Sequence, residues 1–463
     1  MPLLSKDESL QLEKRVYQNL TEAPLDPGSP FYQPIYQSSG VADPIDLMGK
    51  HIKFSAVESI QLFSGFRGSG KTTELKRLKA RLDDEGYIVL YADALEYINP
   101  AEPIEISDLL VVLAAAYGEA LTQFDTNIIQ ESYWARLRNW LTRTEVAIES
   151  SSIKAESQSP LKDVVGGIKA SADFKLALKT TPSFRDNLRT FLTDRLGELK
   201  ADINRFVADG VKAICNQYGK GKQIVFIFDN LEQLRGPLNS EQDVIRSVER
   251  VFTTHFQLLK LPNIHSVYTV PPWLKFVMPN FQQIVLIPNV RLWENDDART
   301  PHAGGWTAMR GFVERRFTND GCTEFFGQPD ASGQYDAIEQ LIAASGGTFR
   351  DLILLLRELV LRAKALPVPN DIVSAAITSV QRNFLPIAID DARWLHDIGR
   401  LRMAALPSAR PEDVSRLTRF LDTRFVLYLM NGKEWYDLHP MIRDEVRDIV
   451  KANTAEVPPP VEP

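Results

Sequence analysis

The sequence predicts an α/β fold of three layers, a parallel sheet between helices, followed by a helical segment and a C-terminal winged helix. Three observations predict it. Short apolar runs alternate with helix-period segments from Ser59 to Leu292. A glycine-rich loop joins the first apolar run directly to a helical pattern. Near the C-terminus, FVLYLM and EWYDL flank the turn Asn431-Gly432, a hairpin signal between two helical patterns.

The bulk numbers suit this picture. The 463 residues are too many for one core and suit about two to four domains. Apolar residues make up 44% and charged residues 24%, the balance of an ordinary globular chain. A net charge of −7 gives no whole-chain argument for nucleic-acid binding. Two distant cysteines, Cys215 and Cys322, exclude a disulfide scaffold and fit a reducing cytoplasm. The N-terminus lacks the order of a signal peptide, and the run LLVVLAAAY at 109–117 is too short to span a bilayer. A cytoplasmic protein without a membrane partner is expected.

Residues 1–50 read as an irregular lead-in with a short helix at its start. It is either a free arm or a wrap around a ligand. The α/β domain occupies 51–295. After the first strand and helix come a strand at 86–94, a helix opening at Ser107 and another across 130–148. Residues 149–182 form an insertion. Within it, IKASADFKLALK at 168–179 alternates with period two and predicts a long amphipathic strand. That strand either covers the core or pairs with a neighbouring chain. A long helical stretch at 183–219 has two weak points, Gly197 and Gly210. A helical lid at 296–385, a winged helix at 386–452 and a Pro-rich tail at 453–463 complete the chain.

The loop carries the chemistry. Residues 61–75 read QLFSGFRGSGKTTEL, and Gly65 to Thr72 fit G-x-x-x-x-G-K-[ST] at every fixed position. Backbone N–H groups wrap a triphosphate there, and glycine permits the tight curl. The helix that follows aims its free N–H groups and positive dipole end at the phosphates. Gly65, Gly68, Ser69 and Gly70 build the cradle, and Lys71 would neutralise the β- and γ-phosphates. The Thr72 hydroxyl, with Thr73 beside it, would hold Mg²⁺. The expected cofactors are ATP or ADP with Mg²⁺, although nothing in the loop selects against GTP. This is the fold class of P-loop nucleoside triphosphatases.

The apolar run KQIVFIFD at 222–229 ends in Asp229, the form of the acidic strand whose carboxylate serves Mg²⁺. The next residue is Asn230, which cannot act as a base. Glu232, or Asp93 at the end of the second strand, would have to polarise a water. Slow hydrolysis follows.

FIFDNLEQL resembles the acidic strand of STAND ATPases, signal-transduction members of the AAA+-related, additional-strand P-loop class. That resemblance extends over roughly residues 55–450. It implies a sensor position at Thr269 in IHSVYTVPPWL, a last strand in IVLIPNVRL at 284–292, and a sensor arginine at Arg350 in SGGTFRDLILLLREL. By it, His439 in LHPMIRDEV would clamp the β-phosphate of ADP; the alternative is a histidine capping a helix before Pro440. Thr348 and Phe349 depart from the family's glycine-proline motif, and no Gly-Arg pair precedes the loop. Arg246 and Arg250 are either fingers reaching a neighbouring subunit or, preferably, solvated charges.

Three functions compete. The leading one is an ATP-dependent switch that forms a homo-oligomer or controls a separate effector protein, a role such proteins often hold in bacterial stress or anti-phage defence. The second is a DNA-engaged AAA+ ATPase of the origin-loader type, against which stands a wing, MNGKEW, with one lysine and one glutamate. The third is a scaffold that binds nucleotide without hydrolysing it.

Overall fold

The computed structural model describes residues 5–36, 42–128, 132–137, 139–140, 171–236, 240–277, 284–408 and 410–454. Five strands, β1 (Ser59–Gly65), β2 (Ile88–Asp93), β3 (Ile224–Asp229), β4 (Ile264–Thr269) and β5 (Ile284–Ile287), form one sheet in the order β2-β3-β4-β1-β5. The pairs β2–β3, β3–β4 and β4–β1 are parallel. β4 lies between the loop strand and the acidic strand, the additional strand that the resemblance implies. Every residue of β3 is buried, which is why it reads as an unbroken apolar run rather than an alternation. β5 stops at Ile287 instead of running to 292, because Pro288 has no N–H to continue a ladder.

The chain falls into two compact units. One comprises Met48–Ser64 and Leu78–Val285. Its centre is the helix Ile106–Phe124, buried along most of its length. By length and composition this helix is apolar enough to cross a membrane, yet 83% of that stretch is buried inside the fold as a core element. The stretch at 183–219 forms two helices, Pro182–Thr193 and Leu196–Tyr218, and runs unbroken through Gly210. That glycine is a packing device: a β-carbon there would stand 2.6 Å from the Tyr117 hydroxyl and 2.9 Å from Leu121 Cδ2.

The expected strand at 168–179 is corrected over its described part, which is the helix Ser171–Thr180. Alanine, leucine and lysine favour helix, and no β-branched residue occurs from Ser171 to Lys179. Leu176 is exposed and Leu178 buried, so the period-two positions do not share a face. Lys175 pairs with Glu119 at 2.9 Å, and Lys179 Nζ donates to the Leu95 carbonyl at 2.6 Å, so this helix covers the core. The rest of the insertion, 149–170, lies outside the described residues, as does the end of the helix expected across 130–148.

The other unit comprises the residues up to Leu47, Gly65–Arg77 and the chain from Leu286 onward. Its lid consists of the helices Ala303–Phe317, Asn319–Phe326, Asp336–Ser345, Phe349–Arg362 and Asn370–Gln381. The winged helix follows: Ile389–Leu401, Pro411–Asp422, the antiparallel strands β6 (Val426–Met430) and β7 (Glu434–Leu438), and Pro440–Thr454. Gly432 takes φ +84° in the hairpin turn, as the Asn-Gly signal requires. The lead-in is less irregular than expected. It opens with the helix Lys6–Asn19, started by a Ser5/Glu8 capping box, and ends in the helix Pro44–Phe54.

Gly210→Ala should lower stability by about 1–3 kcal/mol, although alanine is the better helix former, because the added methyl has no room. Chemical denaturation checks this. An unchanged midpoint would mean that the two helices can move apart at no cost.

Candidate nucleotide site

β1 runs straight into the loop, and the helix Lys71–Asp84 leaves it. Gly68 and Gly70 take φ +85° and +88°, conformations that only glycine adopts freely. A β-carbon on Gly65 would meet Ser69 Oγ at 2.7 Å and Lys71 Cγ at 3.0 Å, so the curl is as tight as a phosphate cradle needs. Lys71 Nζ donates to the Gly65 carbonyl at 2.8 Å and the Phe66 carbonyl at 3.4 Å, which holds the ammonium inside the curl. Ser69 Oγ is buried and has no hydrogen-bond partner among the described residues. Curl, ammonium, orphan hydroxyl and helix N-terminus together fit a polyphosphate.

The lid helix Phe349–Arg362 begins against this loop. A β-carbon on Gly68 would lie 2.5 Å from Arg350 Cβ. Gly68 is not a fixed position of the loop pattern, so the lid contact adds a second demand for glycine beside its backbone angle. Phe66 packs on Tyr428 of β6, with ring centroids 5.6 Å apart. The Arg350 guanidinium reaches Glu22, with Nη2 to Oε2 at 2.9 Å.

The next residue, Asp351, is fully buried and faces the winged helix. Its carboxylate accepts from Arg424 Nε at 2.8 Å and from Thr348 Oγ1 at 2.6 Å, and lies 3.3 Å from His439 Nε2. Burial alone would raise this carboxyl, but the imidazole and guanidinium beside it hold it well below the usual carboxylate range. His439 is itself fully buried and stacks on Phe384. Its Nδ1 accepts the Met441 N–H at 3.2 Å, which makes it the cap of the final helix. Nε2–H is then the donor toward the Ser345 carbonyl at 3.1 Å and Asp351. Both ring nitrogens are engaged.

Residues 20–36 and 42–43 strap the first turns of the loop helix. The Leu25 N–H donates to Thr73 Oγ1 at 3.1 Å, Tyr32 OH to Glu74 at 3.2 Å, and Arg77 Nη2 pairs with Asp43 at 2.6 Å. Burial raises the Glu74 carboxyl, against the pull of Arg77. The described part of the lead-in is therefore not a free arm but is held against the loop helix. It also gives Thr73 a structural partner.

In the other unit, the strand tips gather the acidic residues. Asp229 and Asp93 stand opposite one another across β3 and β2. Asp229 is fully buried; its Oδ2 accepts from Tyr91 OH at 2.5 Å and its Oδ1 from the Asn230 N–H at 2.7 Å. Burial and the adjacent carboxylate push the Tyr91 phenol up, so it stays a proton donor to Asp229. Asn230 adopts φ +69°, a left-handed turn that asparagine tolerates. Thr269 is buried and its hydroxyl accepts the Leu231 N–H at 3.0 Å, which pins that turn. Asp93 accepts the Leu95 N–H at 2.8 Å and caps a short turn, while Glu232 is half-buried on the turn Leu231–Gln233.

Arg246 and Arg250 are more than half exposed and pair weakly with Asp243 and Glu105, as solvated charges do. Sequence reasoning missed Glu22, Tyr91 and Asp351. Tyr91 had a faint signal: it lies two positions before Asp93, on one face of a strand paired with β3.

No protein-family model matches the chain, and no curated protein matches it. Among solved structures, it resembles the ADP form of the ORC2 protein of Aeropyrum pernix at 12% identity and TM-score 0.40, over 95% of this chain and 98% of that one. The Walker-type ATPase paby2304 of Pyrococcus abyssi matches at 10% identity and TM-score 0.39, over 94% of this chain and 99% of that one. Cdc6p of Pyrobaculum aerophilum matches at 12% identity and TM-score 0.37, over 93% and 100%.

Asp351→Asn should cost about 3 kcal/mol at neutral pH, since Arg424 loses its buried counter-charge. The carboxyl is depressed in the folded state. Its contribution is therefore complete above its ordinary value near ~4 and fades as pH falls below that. Unfolding curves of both proteins should converge in acid. A constant difference at all pH values would mean that the carboxylate charge is irrelevant.

Proposed function

We propose that this chain is an ATP-binding, slowly hydrolysing ATPase of the AAA+ type, a switch whose nucleotide state is passed to its winged helix. One observation carries the reading. Arg350 packs against the phosphate loop at Gly68, and Asp351, its chain neighbour, holds Arg424 and His439 of the winged helix. Two consecutive residues of one helix thus join the loop to the winged helix, beside the direct packing of Phe66 on Tyr428.

In this reading Gly65 to Thr72 hold the phosphates, with Lys71 as the counter-charge and Ser69 as a further donor. Thr72 would supply a hard oxygen for Mg²⁺, and Asp229, oriented by Tyr91, is the carboxylate that the sequence pattern assigns to that ion. A bound Mg²⁺ would neutralise phosphate charge during transfer. Asn230 follows Asp229 and cannot take a proton, and Asp93 is already used as a cap. Glu232 is left to polarise water from an uncommon position, which supports slow turnover. His439, with both nitrogens engaged, would act on the nucleotide through Asp351 and Arg350. The output is assembly with further copies of the chain or with a separate effector protein.

A second reading is a DNA-engaged ATPase of the origin-loader type. The helix before the hairpin, Pro411–Asp422, carries Arg416 and Arg419 one turn apart, each about one third exposed (32% and 34%). Such a helix enters a major groove in many winged folds. Both guanidiniums are tied to Asp391 at 2.7 and 3.0 Å, so DNA would have to displace an acid.

Lys71→Ala should abolish binding of a fluorescent ATP analogue. Gly68→Ala should weaken it at least about tenfold, since a strained loop and a displaced lid act together. The mass in solution should rise with the analogue in the wild type only. An invariant mass, together with duplex-DNA binding that falls steeply with salt, would replace the assembly switch by the DNA reading.

A further inference from the structure

Arg350 meets an acid before it meets any phosphate. The Glu22 carboxylate lies between two arginines of one lid helix, Arg350 at 2.9 Å and Arg357 at 3.5 Å. The two stand seven residues apart and so share a face. Their situations differ. Arg357 is held from the far side: Nη2 donates to Tyr17 OH at 3.0 Å, and the guanidinium lies 4.6 Å from the centre of the Tyr17 ring. Arg350 is fixed at its root, over Gly68, and its side chain is 31% exposed.

We propose that Glu22 is a gating residue of the nucleotide site, holding the Arg350 guanidinium until the terminal phosphate of a triphosphate takes it over. This rests on the nucleotide reading above. The exchange is physically easy for three reasons. Both side chains of the Glu22–Arg350 pair are 31% exposed, and solvent-accessible pairs hold weakly. A phosphate offers more charge and more acceptor oxygens than a carboxylate. Glu22 is not left alone when Arg350 departs, because Arg357 remains beside it.

The exchange also has a route outward. Glu22 lies between the helix Lys6–Asn19 and Leu25, whose N–H holds Thr73 on the loop helix. Release of Arg350 therefore leaves the start of the strap held by Arg357 alone on the same occasion that the triphosphate is gripped. A diphosphate has no terminal group to complete the exchange and leaves Glu22 in place.

The test is the affinity of the full chain for a fluorescent non-hydrolysable ATP analogue and for fluorescent ADP. Wild type, E22Q, R357A, R350A, E22Q/R350A and K71A are compared at about 50 and about 500 mM salt. E22Q should tighten the analogue about three- to fivefold at low salt, less at high salt, and leave ADP nearly unchanged. R357A should weaken the analogue, because Glu22 then depends on Arg350 alone. The gain should vanish in E22Q/R350A. A merely structural role for Glu22 moves E22Q and R357A in the same direction, and that result overturns the proposal. Unchanged affinity in E22Q, or the same gain without Arg350, overturns it equally. Wild-type affinity in K71A would instead refute the nucleotide reading itself.

Discussion

The closest approach in the phosphate loop, between Gly68 and Arg350, is the constraint on which the rest of the C-terminal unit depends. A β-carbon at position 68 would stand 2.5 Å from another β-carbon, a separation that no relaxation of side chains can absorb. The start of the lid helix therefore leaves no room for a side chain at position 68. The residue after Arg350, Asp351, is locked to the winged helix by the Arg424 guanidinium and the His439 imidazole. A displacement of the helix start large enough to admit or release a ligand therefore disturbs a buried ionic contact, where breaking one partner is expensive. Packed interiors respond to such disturbance by switching between arrangements rather than by deforming smoothly.

The acidic strand illustrates the other half of the chemistry. Asp229 is fully enclosed, and both of its oxygens accept hydrogen bonds from neighbours, the Tyr91 hydroxyl and the Asn230 backbone N–H. Such a carboxylate is well oriented and well solvated by protein dipoles, which suits a fixed role beside a cation. The residue after it sits in a left-handed turn pinned by Thr269. Asparagine satisfies that backbone and contributes no base. The turn beside the acid thus holds no carboxylate at the position directly after Asp229.

Much of this was legible in the sequence because it is local. The loop pattern, the apolar run ending in Asp229 and the Asn-Gly hairpin each occupy fewer than about fifteen consecutive residues, and each rests on backbone chemistry that sequence records directly. The helix Ser171–Thr180 was misread because a short segment of alternating residues fits two periods, and composition rather than spacing decides. Gly210 passed for a weak point because its reason, the Tyr117 hydroxyl, is on another helix. Glu22, Tyr91 and Asp351 were invisible for the same cause. Each acts on a residue brought close only by folding, and a lone acid or phenol carries no spacing that announces its partner.

The central claim is that phosphate at the loop is felt at the winged helix through Arg350 and Asp351. Hydrogen exchange of the full chain with and without a non-hydrolysable ATP analogue tests it most directly. Amides at 345–351 and 424–441 should change protection together with those of 65–77, and in Asp351→Asn the change should stop at the lid. Altered exchange confined to 65–77 in the wild type would contradict the account, because the winged helix would then be indifferent to what the loop holds.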